Sequence, residues 1–343
     1  MIVKTFYPGW EQKGSVLAYP SGWQRPAKTE EWAYEQCMRD LPQNRHVQML
    51  CFPWATLIDL QRKGIRNHAQ KYLEALRWTP PKNTLLRATV MQHIYAKDML
   101  PILEQLGITD IFWSHATKHE TTVRKIRIHP FPLFPVCCTG LQESNDWIAL
   151  QDRRYLYSFI GAYESGLYLS EARRWIFELQ PRKDTIIERR NEWHFESSVY
   201  RSLTHGVSDT EMETQVLRKR EEQYKNILSQ SKFSLCPSGS GPNTIRLWES
   251  IHMGAIPIII SDNCRLPGEF SLWDKATLRV PETRKSIKEI PFILEELMLD
   301  QSALNKYRQA LTELAKHFSL EKFPPVIKEF FESKWKQIRC AQI

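Results

Sequence analysis

The sequence predicts an α/β protein with two domains, each with a mostly parallel sheet and helices on both faces. Short apolar segments typical of strands alternate with longer segments typical of helices, and this alternation favours parallel sheets. Two such series follow one another in a chain of 343 residues, a length sufficient for two domains. We predict a first domain over 1–140, a linker over 141–153, a second domain over 154–322 and a C-terminal helix over 323–343.

The first series runs from the start of the chain to a proline-rich segment. It contains predicted strands at 16–19, 47–52, 85–94, 108–113 and 126–129, and predicted helices at 30–41, 55–76 and 95–106. Gly64 is expected to break the second helix, and Gly107 to end the third. Ligands bind at the carboxyl ends of parallel strands, so the residues that follow each strand are candidates for a binding site.

The second series begins near residue 155. It contains predicted strands at 155–160, 185–188, 233–236, 255–261 and 276–280, and predicted helices at 170–179, 210–230, 243–253, 287–299, 302–317 and 325–339. The segment 189–206 between two of these elements is a polar loop. No internal repeat interrupts the series.

Residues 232–282 are the most informative unit, because they form a strand, a glycine-rich turn, a helix and a second strand. The turn Ser238-Gly239-Ser240-Gly241 directly follows the first strand, and Pro242 suits a first helical position before Asn243. Backbone N–H groups at a helix start bind phosphate, and glycines let the backbone approach a ligand closely. The unit therefore indicates a phosphate site, with an ordinary tight turn as the alternative.

Arg246 and Glu249 are three residues apart in the helix of this unit, so they share one face. An arginine can hold a diphosphate with two hydrogen bonds, and a carboxylate can accept both hydroxyls of a ribose. Together with the turn, the pair predicts a nucleotide diphosphate site. A surface ion pair is the alternative interpretation.

This unit resembles the C-terminal half of exostosin-like glycosyltransferases over about residues 230–285. In chain order, the matching features are Cys236-Pro237, the turn Ser238–Gly241, Arg246, Glu249, Gly254-Ala255-Ile256-Pro257, Leu266-Pro267 and Trp273, with Val280 and Glu282 beyond. A looser resemblance covers 155–180, where Phe159 and Gly161 precede a helix that carries Arg173. Animal members have a basic residue where this chain has Ser238.

The resemblance implies the GT-B architecture, in which two Rossmann-like domains hold the donor in the C-terminal domain and the acceptor in the N-terminal one. It assigns Ser238, Gly239, Ser240, Gly241, Asn243 and Arg246 to the donor phosphates. It assigns Glu249 to the ribose and brings Arg173 near the donor. It also implies that the last helix crosses back over the first domain.

The sequence contains no Asp-x-Asp pair, the motif that usually holds a divalent metal in the other glycosyltransferase architecture, GT-A. We therefore expect no metal and no cofactor apart from the nucleotide-sugar donor. The resemblance implies an inverting transfer, which needs a general base for the acceptor hydroxyl. His93 is the first candidate, followed by His115 and Asp98, with Glu164 as a second-domain alternative.

The net charge of +8 suits an anionic ligand, and no cluster of Lys and Arg favours nucleic acid. No signal peptide and no long apolar run is apparent, which predicts a cytoplasmic protein. The basic, amphipathic C-terminal helix would allow peripheral contact with the inner face of a membrane. The expected function is a metal-independent transfer from a nucleotide sugar, with UDP favoured, to a glycan or lipid-linked glycan. The rival is an inactive nucleotide- or glycan-binding module.

Overall fold

Two β-sheets organise the computed structural model, which describes residues 4–5, 9–25, 27–41, 43, 46–80, 82, 84–138, 147–190 and 211–340. The first sheet, in the order β1-β2-β3-β4-β5-β6-β8-β7, is parallel from β3 to β6 and on to β8. Its strands are β1 Lys4–Thr5, β2 Glu11–Lys13, β3 Val16–Ala18, β4 Val47–Cys51, β5 Leu86–Met91, β6 Asp110–Trp113, β7 Thr122–Val123 and β8 Ile126–Pro130. The helices of this half are α1 Thr29–Asp40, α2 Trp54–Arg62, α3 Arg66–Arg77 and α4 Leu100–Gln105.

Both faces of the first sheet are buried. Successive side chains of a strand point to opposite faces, and each face packs against helices. In β3, Leu17 belongs to an apolar cluster with α2, α3 and α4, whereas Val16 and Ala18 belong to a cluster with α1. Gly64 ends α2 with a φ of +70°, so the predicted break is where two helices separate.

The second sheet is parallel throughout, in the order β10-β9-β11-β12-β13. Its strands are β9 Tyr155–Ala162, β10 Thr185–Arg190, β11 Ser231–Pro237, β12 Ile256–Ile260 and β13 Leu278–Arg279. The remaining helices are α5 Ala172–Phe177, α6 Glu211–Ser229, α7 Ile245–His252, α8 Phe270–Ala276, α9 Arg284–Leu299, α10 Gln301–His317 and α11 Pro325–Cys340. The two Rossmann-like domains of the GT-B prediction are thus confirmed.

The helix of the glycine-rich unit begins later than the sequence predicts. It is α7, which starts at Ile245 after Thr244, so Pro242 does not occupy a first helical position and Asn243 precedes the helix. The cause is tertiary, because the Asn243 side chain donates to the carbonyl of Ser114 in the first domain, with a separation of 2.8 Å. Its Oδ1 also accepts from the Thr244 N–H and from the indole of Trp248.

The predicted linker over 141–153 falls partly outside the described residues. Its described end belongs to the second domain, because Leu150 lies in that domain's core and Trp147 donates to the carbonyl of His252. The predicted loop over 189–206 lies outside the described residues from 191 onward.

The last helix, α11, packs on the first domain. Ile327, Phe330 and Phe331 are buried in the same cluster as α1. These three side chains are therefore covered by protein, and peripheral membrane contact stays a prediction. Among the described residues, no helix combines the length and the apolar character needed to span a bilayer. Cytoplasmic localisation stays a prediction.

Residues 114–118 of the first domain contact the second. Thr117 forms an antiparallel bridge with Cys264, and the N–H of Arg265 donates to the carbonyl of Ala116 over 3.1 Å. These contacts, with the bond from Asn243 to Ser114, hold the ends of β6 and β12 against each other. The carboxyl ends of strands in both sheets consequently line one cleft.

Candidate functional site

A cavity of about 530 Å³ lies between the two domains. The first domain contributes His93 and His115, and the second contributes Arg173, Arg246 and Glu249. Residues just after the carboxyl ends of β5 and β6 thus meet residues of α5 and α7 at one place, as expected for an α/β binding site.

Two arginines stand side by side in the second-domain wall of this cavity. Arg173 is buried and donates to the carbonyls of Ser238 and Ala162, each over 3.1 Å. Arg246 donates to the carbonyl of Ile160, and its guanidinium carbon lies 4.4 Å from the centre of the Phe159 ring. Among the residues that the structure describes, neither arginine forms an ion pair with a carboxylate.

Among the described residues, no carboxylate balances the charges of this pair by direct contact. Burial, and then the neighbouring Arg246, lowers the pKa of Arg173 to about 10, which still leaves its guanidinium charged at neutral pH. One terminal nitrogen of Arg246 is buried and has no hydrogen-bond partner in the described part of the chain. Two adjacent cations with an unused donor form a site that an anion would stabilise.

Glycines make room for the two guanidinium groups. A Cβ added at Gly161 would lie 3.3 Å from a terminal nitrogen of Arg173 and 3.4 Å from one of Arg246. Gly239 is similarly placed, with a terminal nitrogen of Arg173 3.6 Å from its Cβ position. Gly239, Ser240 and Gly241 line the cavity, so most of the predicted turn faces it.

The structure does not bring every predicted site residue to the cavity. Ser238 is buried, and its hydroxyl donates to Glu282 instead of pointing toward the arginines. Asp98 is half exposed and pairs with Arg62 over 3.1 Å, outside the cavity lining. Glu164 is exposed and does not line the cavity either.

Asn243 lines the cavity, but its side chain is hydrogen-bonded to Ser114, Thr244 and Trp248.

Glu249 lies in the cavity wall with both carboxylate oxygens hydrogen-bonded. One accepts from the N–H of Cys137 over 3.1 Å, and the other accepts from the hydroxyl of Tyr224 over 2.8 Å. Burial raises the pKa of this carboxyl, while these donors oppose the shift. A carboxylate has about four acceptor positions, so the two bonds leave room for ribose hydroxyls. The predicted roles of Glu249 and Asn243 stay predictions.

His115 lies at the domain interface against the glycine-rich turn. Burial, and then the charge of His93, lowers the pKa of His115 to about 3, so its imidazole is neutral at physiological pH. Its Nδ1 faces Gly241 and has no hydrogen-bond partner among the described residues. Such a weakly basic imidazole is a poor proton acceptor.

The contact between His115 and Gly241 makes a testable prediction. A Cβ at position 241 would lie well inside van der Waals contact of His115 Nδ1 and 2.7 Å from Cγ2 of Ile94. We therefore expect Gly241→Ala to separate the domains locally and to lower the free energy of unfolding by about 1–3 kcal/mol. Chemical denaturation would measure the loss.

Gly239→Ala is the matched control, since its Cβ would make only ordinary contact at 3.6 Å from Arg173. We expect Gly239→Ala to leave the free energy of unfolding almost unchanged. Equal losses for the two variants would contradict the packing of His115 on Gly241.

His93 has two hydrogen-bonded ring nitrogens. Its Nε2 lies 3.1 Å from Oδ1 of Asp59, and its Nδ1 accepts from the N–H of Tyr95 over 3.1 Å. Asp59 is in α2 and is 8% exposed, so the dyad is largely shielded from water. Sequence reasoning missed Asp59, which lies in the second turn of α2, the helix that follows β4.

A buried carboxylate, Glu30, supports the same region of the first domain. Its oxygens accept from the N–H groups of Gln92 and Ala55, each over 3.0 Å. Burial raises the pKa of Glu30 to about 8, although both N–H groups favour the carboxylate form. The bonds tie the start of α1 to the end of β5 and to the start of α2. Glu30 was likewise not predicted as a site residue.

In the described part of the chain, no three or more His, Cys, Asp or Glu side chains are grouped so that they could hold a metal ion. The expectation of a metal-independent site stays a prediction.

The family described as "Exostosin GT47 domain" matches residues 92–297, which is more than half of the chain. Ribitol-5-phosphate xylosyltransferase 1 of Danio rerio is 26% identical over 213 residues, which cover 58% of this chain and 42% of that protein. A probable glucuronosyltransferase of Oryza sativa subsp. japonica is 38% identical over 82 residues, covering 24% of this chain and 19% of that protein.

These alignments leave most of each relative uncovered, so the chain spans less than half the length of the curated relatives it matches. Among solved structures, the glycosyltransferase WaaG, described as involved in lipopolysaccharide biosynthesis, is similar with a TM-score of 0.42 at 11% identity. That match covers 92% of this chain and 98% of WaaG.

Proposed function

The chain belongs to the exostosin GT47 family, and from this premise we propose that it is a glycosyltransferase. It moves a sugar from a nucleotide-sugar donor, with UDP as the favoured nucleotide, to a glycan or lipid-linked glycan acceptor. The observation that supports this most strongly is the pair Arg173 and Arg246, which line the cleft without a carboxylate partner among the described residues.

The donor diphosphate would lie against these arginines and the backbone of Gly239–Gly241. Negative charge develops on the diphosphate as the bond from its oxygen to the anomeric carbon breaks. Preorganised cations and N–H donors at that position are typically the largest catalytic contribution, with one donor worth about 3 kcal/mol. This arrangement can neutralise the leaving group without a metal ion.

The acceptor hydroxyl would enter from the first-domain side of the cleft. In an inverting transfer, a base takes the hydroxyl proton while the oxygen bonds to the anomeric carbon from the face opposite the leaving diphosphate. His93 suits this role better than His115, because burial makes His115 a very weak base. Asp98 is less suitable because it lies outside the cavity lining and pairs with Arg62.

Thermal stabilisation by UDP, GDP, CMP, dTDP and ADP, with and without EDTA, tests the proposal. A ligand at a hundredfold excess over its dissociation constant adds about 2.7 kcal/mol of stability by mass action. We expect UDP to raise the melting temperature equally in both buffers. Loss of the shift in EDTA would contradict metal independence, and no shift with any nucleotide would contradict the donor site.

Sugar transfer is then measured with the donor that stabilises the protein. The relatives named above are a xylosyltransferase and a probable glucuronosyltransferase, so UDP-xylose and UDP-glucuronate are the first donors to compare. Release of UDP only in the presence of an acceptor glycan is the expected result. Nucleotide binding without any transfer would instead favour the inactive binding module.

A further inference from the structure

A chain of buried side-chain hydrogen bonds runs from the backbone of α1 to His93. The N–H of Glu30 donates to Oε1 of Gln92 over 3.2 Å. The amide nitrogen of Gln92 donates to Oε1 of Gln24 and to the carbonyl of Ala27, each over 2.9 Å. The amide nitrogen of Gln24 then donates to Oδ2 of Asp59.

The donor-to-acceptor direction of these hydrogen bonds is fixed by backbone groups, because an N–H can only donate and a carbonyl can only accept. The Glu30 N–H can only donate and the Ala27 carbonyl can only accept, so the Gln92 amide has one satisfactory orientation. That orientation places an NH2 group against Gln24, which must present its oxygen to Gln92 and its nitrogen to Asp59. Neither amide can flip without setting two donors or two acceptors against each other.

The other end of the chain is also defined by a backbone group. The N–H of Tyr95 donates to Nδ1 of His93, so Nδ1 carries the lone pair of the neutral ring. The ring proton is then on Nε2 and faces Oδ1 of Asp59 at 3.1 Å. Two donors, from Gln24 and His93, therefore converge on Asp59, and a carboxylate is the side chain that can accept both.

We propose that Asp59 is a positioning residue that holds His93 in the tautomer protonated on Nε2, with the lone pair on Nδ1. The hydrogen bonds of Gln92 and Gln24 connect the Glu30 N–H to Asp59 and fix which atoms donate and which accept. This proposal rests on the proposed function, in which His93 is the base. During transfer, the acceptor hydroxyl takes the place of the Tyr95 N–H as the donor to Nδ1.

The hydroxyl proton passes to Nδ1 while the acceptor oxygen forms its bond to the anomeric carbon. The bond from that carbon to the diphosphate oxygen breaks, and the leaving group keeps the electron pair. The imidazolium that results has one N–H directed at the Asp59 carboxylate, which stabilises its positive charge.

Burial restricts these side chains to the hydrogen-bond partners that the protein provides. Gln24, Gln92 and Asp59 are 9%, 5% and 8% exposed, so water is poorly placed to replace a lost partner. A mismatched donor in such a network keeps its full desolvation cost. The tautomer of His93 should consequently depend on Asp59 as well as on the Tyr95 N–H, because both favour a proton on Nε2.

Nuclear magnetic resonance of protein labelled with 15N-histidine tests the proposal without any substrate. At a pH where the imidazoles are neutral, we expect His93, assigned with a His93→Gln variant, to show the pattern of a ring protonated on Nε2. Gln24 and His93 bond to different oxygens of Asp59, and in Asp59→Asn one of these two positions becomes an NH2 donor. We therefore expect the His93 signals to shift toward the Nδ1-protonated form or a mixture.

Asp40→Asn is the matched control, because Asp40 is an exposed carboxylate of the first domain that pairs with Arg39. It should leave the His93 signals unchanged. A wild-type ring protonated on Nδ1 would overturn the proposal even if Asp59→Asn failed to fold. A folded Asp59→Asn protein with the wild-type tautomer would also overturn it.

Binding and turnover separate this proposal from the proposed function. In Asp59→Asn we expect the affinity for UDP, measured by calorimetry, to be unchanged. The kcat for transfer from UDP-xylose or UDP-glucuronate should fall about 100- to 10,000-fold, the range typical of a lost general base. If wild-type protein does not bind UDP, the proposed function fails while the tautomer result still stands. An unchanged kcat in a variant with an altered tautomer would overturn the role of Asp59 in transfer.

Discussion

Arg246→Ala is expected to weaken the binding of UDP by about 100-fold, since it removes two charge-assisted hydrogen bonds to the diphosphate worth about 3 kcal/mol together. The side chain has one internal acceptor, the carbonyl of Ile160, and one buried nitrogen without a partner among the described residues. The fold should therefore tolerate its loss. Isothermal calorimetry with UDP measures the affinity, and circular dichroism checks the fold.

Arg174→Ala is the matched control for this prediction. Arg174 lies in α5 next to Arg173, but its side chain is about half exposed and pairs with Glu171 and Glu178 on the protein surface. Exposed pairs of this kind contribute little, so we expect UDP affinity to be unchanged. Wild-type affinity in Arg246→Ala would mean that the diphosphate binds elsewhere.

Arg153→Met is expected to lower the free energy of unfolding by about 3 kcal/mol, the largest stability effect that the structure suggests. Arg153 is 2% exposed and donates to the carbonyls of Ile148, Ser231 and Met253 at 3.0, 2.8 and 3.0 Å. Methionine fills similar space but leaves these buried acceptors without their donor. The arginine thereby joins the segment before β9 to the starts of β11 and β12.

The adjacent residue is the control, because Arg154 is exposed and lies beside the ring of Tyr155. Arg154→Met should change the free energy of unfolding by less than about 0.5 kcal/mol. Differential scanning calorimetry at pH 7 measures both variants, and burial lowers the pKa of Arg153 to about 9, so wild-type Arg153 is charged there. A loss below about 1 kcal/mol in Arg153→Met would show that the three carbonyls find other partners.

The second-domain wall of the cavity was the more predictable half, because its sequence signals are local. The turn Ser238–Gly241 and Arg246 lie within one strand–turn–helix unit, where glycine content, proline and helical spacing are visible along a few residues. Arg173 was predicted from a looser resemblance, and the structure places it beside Arg246. Ser238 looked equivalent to Ser240 in sequence, but the approach of Glu282 turns its hydroxyl away from the cavity.

The first-domain wall of the cavity was less predictable, because its contacts join distant segments. His93 was a candidate from its position after β5, yet its partner Asp59 is 34 residues away and Gln24 is 68 residues from Gln92. Nothing in the spacing of these residues indicates that they meet. The start of α7 was misplaced for the same reason, since Asn243 is held by Ser114, 129 residues earlier.

The sequence by itself determined the alternation of strands and helices, the two sheets and the glycine-rich unit, because backbone hydrogen bonding and apolar periodicity depend on neighbouring residues. The tertiary structure decided which polar side chains face the cleft and which are used internally. It brought Arg173 to Arg246, assigned Asp59 to His93 and placed α11 on the first domain. Hydrogen bonds between distant helices, strands and loops depend on which segments lie next to each other, and that is set by the packing of the whole fold.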